Sequence, residues 1–173
     1  MTATKMPSVR DEVLWLLDTT FASWNWAHKS LLDSVKTLTV AEARWQPGRR
    51  AHSVWEQINH VAHWKAYIVD RIAGRRPVAR QAWPAAGRTA ADLRRSIARL
   101  TRLQDELRQI VQGLNPEAFA LSRSGKYSLA KLLMGSAAHE SYHAGQILLT
   151  RKLCRDTVRR TLRRPARASS KPG

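Results

Sequence analysis

The amino-acid sequence predicts an all-α protein, a four-helix bundle. Four segments repeat apolar residues at helical spacing, and capping residues open them while glycine or proline follows them. No alternating apolar and polar run of strand length competes with these four segments.

The first segment, residues 8–37, puts Val13, Leu17, Phe21, Trp24, His28, Leu31 and Val35 on one face, with Ser8 as N-cap. The stretch "TLTVAEARWQPGRRAH" follows, and its Pro47-Gly48 pair marks a break. A second helix opens at Ser53 and runs to about Gly74, a residue suited to a C-terminal stop. Beyond the basic connection "RRPVARQAWPAAGR", Thr89 and Asp92 have the spacing of a capping box. Leu93, Ile97, Leu100, Leu103, Leu107 and Ile110 then mark a third helix over 89–113. Asn115-Pro116 and Ser124-Gly125 bracket the next loop, and Ser128 caps a fourth helix reaching at least Leu153. Each connection has about 14 residues and can extend to about 46 Å, more than the roughly 33 Å length of such helices. Length alone leaves the helix order open.

The chain of 173 residues suits one domain. Residues 1–154 are expected to form it, and residues 155–173 an arginine-rich helix end and a basic disordered tail, with Asp156 the only acid in that segment. No apolar run approaches the roughly 18 residues of a membrane span, so no membrane association is expected. The first residues lack a secretory pattern and Cys154 is the single cysteine, which together predict a cytoplasmic protein. Lysine and arginine total 30 against 13 acids, a net charge of +17. Helix-turn-helix, zinc-finger and aromatic strand patterns are all absent, so this charge is read as a solvated basic surface and nucleic acid is not an expected partner.

The fourth segment contains "AAHESYHAGQILL". His139 and His143 lie one helical turn apart, within about 40° on the helix wheel, and two imidazoles so placed can share a divalent ion such as zinc, nickel, iron or cobalt. Glu140 falls near the centre of the apolar face set by Leu129, Leu132, Leu133, Ala144 and Ile147, where a carboxylate is costly unless paired, protonated or ligating. The opposite face carries Gly135, Ala138, Tyr142, Gly145 and Leu149, uncharged groups that invite a covering partner. Another helix of the chain or a second copy could cover them, and a homodimer is the expectation.

The H-E-x-x-H spelling is shared with metalloproteases, which take a third ligand further along the chain. Here no histidine follows His143, Gln146 and Leu149 stand where an extended motif needs glycine and histidine, and no edge strand is predicted to hold a peptide. A peptidase is not expected. Upstream candidates for the third ligand are His28, His52, His60 and His63. His60 lies on the flank of the second helix's core face beside Trp64, His63 turns towards the polar side, His28 sits on an apolar face, and His52 precedes a cap. His60 is the best placed of the four.

Three stretches in order, "SWNWAHKSLLDSVKTLTVAEARWQP", "SVWEQINHVAHWKAYIVDRIAG" and "SLAKLLMGSAAHESYHAGQILLTRK", resemble the DinB/YfiT-like superfamily of bacterial four-helix-bundle metalloenzymes over residues 10–153. The most specific parts are S-x-W-E-x-x-x-H-x-x-x-W and H-x-x-x-H followed by A-G-Q-I. The resemblance implies His60, His139 and His143 as ligands of one divalent ion, most often zinc or nickel, with iron, manganese or cobalt as other choices. It also implies up-down-down-up helices and a frequent dimer. Members with assigned roles include thiol transferases and a thiol-dependent isomerase, so a low-molecular-weight thiol is an implied cosubstrate. The expected function is a metal-dependent enzyme of thiol S-transferase or hydrolase type acting on a small molecule. The alternative is a noncatalytic metal-binding or stress-related protein whose basic surface meets an anionic partner. Glu140 is expected beside the metal, supporting its ligands or accepting a proton, and Gln146 as an orienting group; Trp24, Trp26 and Trp64 are read as plain core, the commoner role of tryptophan at helical spacing, or as pocket walls.

Overall fold

The computed structural model describes residues 6–23, 26, 29–77, 83–122 and 126–163. All regular structure among them is helical: α1 (Val9–Phe21), α2 (Leu31–Val35), α3 (Val40–Arg44), α4 (Val54–Ile72), α5 (Ala90–Gln112), a 3₁₀ turn (Pro116–Phe119) and α6 (Leu129–Arg163). Four of these helices are long.

The same local device opens α1 to α5. Ser8, Ser30, Thr39, Ser53 and Thr89 each accept the third amide of their helix, and Asp11, Asp33, Glu42, Glu56 and Asp92 reach back to the cap amide. Hydrogen bonds to the anionic form hold two of these carboxyls down to about 2: Asp33 through Lys36 and Ser30, Asp92 through the amide and hydroxyl of Thr89. Ser128 starts α6, its carbonyl accepting from Leu132 N at 3.0 Å and its hydroxyl from Lys131 N at 3.3 Å.

The continuous helix expected over residues 8–37 is corrected. α1 stops at Phe21, and α2 and α3 follow as separate short helices. At its end the Thr20 hydroxyl bonds back to Leu16 O at 2.8 Å, while Ser30 and Thr39 supply new starts that a continuous helix would forfeit. Leu31 and Val35 remain buried, so the apolar spacing continues across a break in the backbone. Trp24 and His28 lie outside the described residues, as does the tail from residue 164; α6 itself runs on through Arg163.

Arg151, 6% exposed, fastens the α2 and α3 corner to α6. Its Nη1 donates to Ser34 O at 2.7 Å and Lys36 O at 2.9 Å, taking up carbonyls at the end of α2, and Arg155 Nε donates to Glu42 Oε1 at 2.7 Å.

The core has two clusters. One joins Phe21, Val54, Trp55, Ile58, Val61, Leu93, Leu100, Ala144 and Ile147 with the buried residues of α2 and α3. The other joins Val13, Leu17, Ile68, Val69, Ile72, Leu107, Val111, Phe119, Leu129, Leu133 and Ala137. Between them lies a polar node fed by all four long helices. Lys65 of α4 pairs with Glu140 of α6 at 2.5 Å and with Gln104 of α5, and Gln104 Nε2 donates to Leu17 O of α1 at 3.1 Å. No helix among the described residues is long and apolar enough to cross a membrane.

Candidate metal centre

α4 and α6 bring three histidines together next to that node. His139 Nε2 lies 3.1 Å from both His60 Nε2 and His143 Nε2. The three candidate ligand atoms fall within 4.8 Å of one another, with His60 and His143 buried and His139 half-buried. One proton on His139 Nε2 could satisfy only one of its two neighbours, whereas a cation between the rings satisfies all three lone pairs. The donor set therefore fits a divalent ion.

Burial keeps His139 and His143 in the neutral form that a metal needs. It pushes His139 down to about 4, with His60 and Lys65 adding to the effect, and His143 down to about 3, with His139 and His60 adding. His143 Nδ1 faces the buried Gln57 Oε1 at 3.4 Å, so an Nδ1–H donating there leaves Nε2 bare towards the other rings.

The triad opens onto a pocket of about 490 Å³. Trp83 closes one wall as the middle of a stack, its ring centroid 4.1 Å from His60 and 3.5 Å from His52, with interplanar angles of 15° and 10°. Gln146 and Tyr142 line the other side, the Gln146 amide donating to the Tyr142 hydroxyl at 2.7 Å.

His60, His139 and His143 are thus brought together as expected, and Gln146 reaches the same pocket. Glu140 does not line it. The carboxylate is 1% exposed and forms a buried ion pair with Lys65, Oε1 lying 2.5 Å from Nζ. Burial raises the Glu140 carboxyl, against the pull of the Lys65 ammonium. Trp64 lies on the far side of His60, at 6.3 Å between ring centroids, and Trp26 is 83% exposed. His63, expected towards the polar side, is buried beside Trp64 and outside the triad, and burial lowers it, with Arg99 and His60 contributing.

Trp83 and Gln57 are site residues that the sequence reading missed, and Tyr142 and Leu149, read on the face opposite the ligands, line the pocket instead. Gln57 precedes His60 by one turn and shares its face, a readable sign. Trp83 sits in an irregular connection where no periodicity speaks for it.

Searches of curated proteins and of solved structures gave no match. The family model of the DinB superfamily matches residues 23–147, more than two thirds of the chain and inclusive of all three histidines. The chain belongs to the DinB superfamily.

Proposed function

We propose that the chain is a divalent-metal-dependent enzyme of thiol S-transferase or hydrolase type acting on a small molecule. The observation that carries this reading is the convergence of His60, His139 and His143 on one point at the wall of a pocket. Three imidazoles leave at least one coordination position for a ligand, the arrangement of a catalytic rather than a closed structural site. Bound there, a zinc or nickel ion would supply Lewis acidity that lowers the pKa of a water or thiol reaching it.

In this reading the chain's own groups prepare that chemistry. Gln57 fixes the His143 ring, Trp83 shields His60 from water, and the Gln146 amide, held by Tyr142, orients the incoming ligand. Glu140 acts at one remove, through the helix that carries His139 and His143.

The division of the core supports an up-down-down-up four-helix bundle. The end of α1, the first halves of α4 and α5 and the later part of α6 share one cluster, and the opposite halves share the other. On α6, Gly145 and the exposed Leu149 and Leu153, of which the two leucines also line the histidine pocket, are proposed to meet a second copy of the chain, which sedimentation would register as twice the 19.6 kDa monomer.

The activity is tested by incubating zinc- or nickel-loaded protein with a low-molecular-weight thiol and a chromogenic electrophile, and separately with a chromogenic ester. A rate above that of the His139→Ala/His143→Ala variant in either assay supports the reading. Equal rates in both would remove it.

A further inference from the structure

His139 also borders a second hollow besides the histidine pocket. This groove, about 870 Å³, runs between α4 and the start of α6 and is the more apolar of the two. Trp64 and Ile68 form one wall, Leu132, Met134 and Ala138 the other, and Tyr127 the far end. Among the described residues, Lys131 is the only charged one lining it, and its ammonium lies 5.2 Å from the centre of the Tyr127 ring, with Lys126 at 5.4 Å from the same ring. The described lining holds no carboxylate.

We infer that this groove binds the apolar body of an amphipathic organic anion, with its acid group at Lys131 and its other end beside His139. The inference rests on the reading of the histidine triad as a metal centre, and it names the class of substrate that the centre would receive. From Lys131 to His139 the helix rises about 12 Å, a length matched by a medium-chain or arylalkyl acid. The volume lies in the range of small-molecule sites. Space for the body comes from small residues: Ala138 is exposed, and a side chain begun at Gly135 would meet nothing within 4 Å. Met134 and Tyr127, 42% and 41% exposed, are the apolar surfaces such a ligand would cover. Charge decides between this occupant and a second copy of the chain. A copy would bring the same lysines and no carboxylate from this face, whereas an organic anion supplies the missing charge.

The test is calorimetric titration of the full-length, zinc-loaded protein with decanoate and with decylammonium, both below their micelle-forming concentrations. Decanoate is expected to bind one per chain and more tightly than decylammonium. Lys131→Glu should weaken decanoate about tenfold to a hundredfold, the loss of one charged hydrogen bond. Gly135→Leu/Ala138→Leu, which fills the groove from outside the core, should weaken both probes. His60→Ala, at a residue that does not itself line the groove, should lose zinc and keep decanoate. Equal affinity for the two probes, or decanoate binding indifferent to both groove variants, overturns the inference; so does a dimer that the groove-filling variant splits and decanoate does not. Zinc bound without decanoate removes the groove and leaves the metal reading, while decanoate bound by a protein that takes up no zinc supports the groove and removes the metal reading.

Discussion

Lys65 Nζ lies 2.5 Å from Glu140 Oε1, each side chain only 1% exposed, at the level where α4 and α6 present His60 and His139 to each other. Removing one member leaves an unpaired buried charge, and Glu140→Ala or Lys65→Ala should each cost about 3–5 kcal/mol in chemical denaturation. Lys65→Met/Glu140→Leu, which replaces the pair by apolar groups of similar size, should recover most of that stability. If the pair also sets the register of α4 against α6, the recovered double variant will still bind zinc more weakly than wild type. A double variant with full stability and unchanged zinc affinity would limit the pair to a structural role.

Gln57 should tune the metal centre without touching the metal. Its Oε1 faces His143 Nδ1 at 3.4 Å inside the protein. Gln57→Leu should reduce zinc affinity about 10- to 100-fold, the usual effect of losing the group that orients a ligand histidine. Gln57→Glu, which keeps an acceptor, should retain more of it. Competition with a chromogenic chelator measures both.

The metal-free protein should lose stability on mild acidification. His139 and His143 sit at about 4 and about 3, below the ordinary 6.5, because burial disfavours their cations. The folded pKa values are the depressed ones, so the stability these groups contribute is whole above about pH 6.5 and is lost as the pH falls through about 4 and about 3. Melting temperatures of chelator-treated protein should fall across that window, and less steeply for His139→Asn/His143→Asn. An identical profile in the variant would contradict the assignment.

Much of the fold was legible because local chemistry and apolar spacing agree. Ser53 and Thr89 cap α4 and α5 as their sequences suggest, and the stripe from Leu93 to Ile110 faces the core or its edge. The misreading beyond Phe21 arose where the two signals diverge: Leu31 and Val35 keep the spacing of the first helix, while Ser30 with Asp33 starts a new one. The same serine-or-threonine signature at Thr39 and Glu42 marks α3 inside a stretch read as loop.

The site was legible along single helices and obscure between them. His139 and His143 announce themselves at one-turn spacing. The partner of Glu140 was within reach, since Lys65 falls in the apolar stripe between Val61 and Ile68, where a cation needs a buried acid. Trp83 was not, because the stack with His52 and His60 is made by a connection whose path depends on tertiary packing.

Metal content tests the central claim most directly. Full-length protein reconstituted with zinc or nickel, freed of excess and analysed for metal, should carry one ion per chain, and His60→Ala and His139→Ala/His143→Ala, shown by circular dichroism to remain helical, should carry close to none. Equal metal in wild type and in these variants would contradict the assignment of His60, His139 and His143 as the ligands.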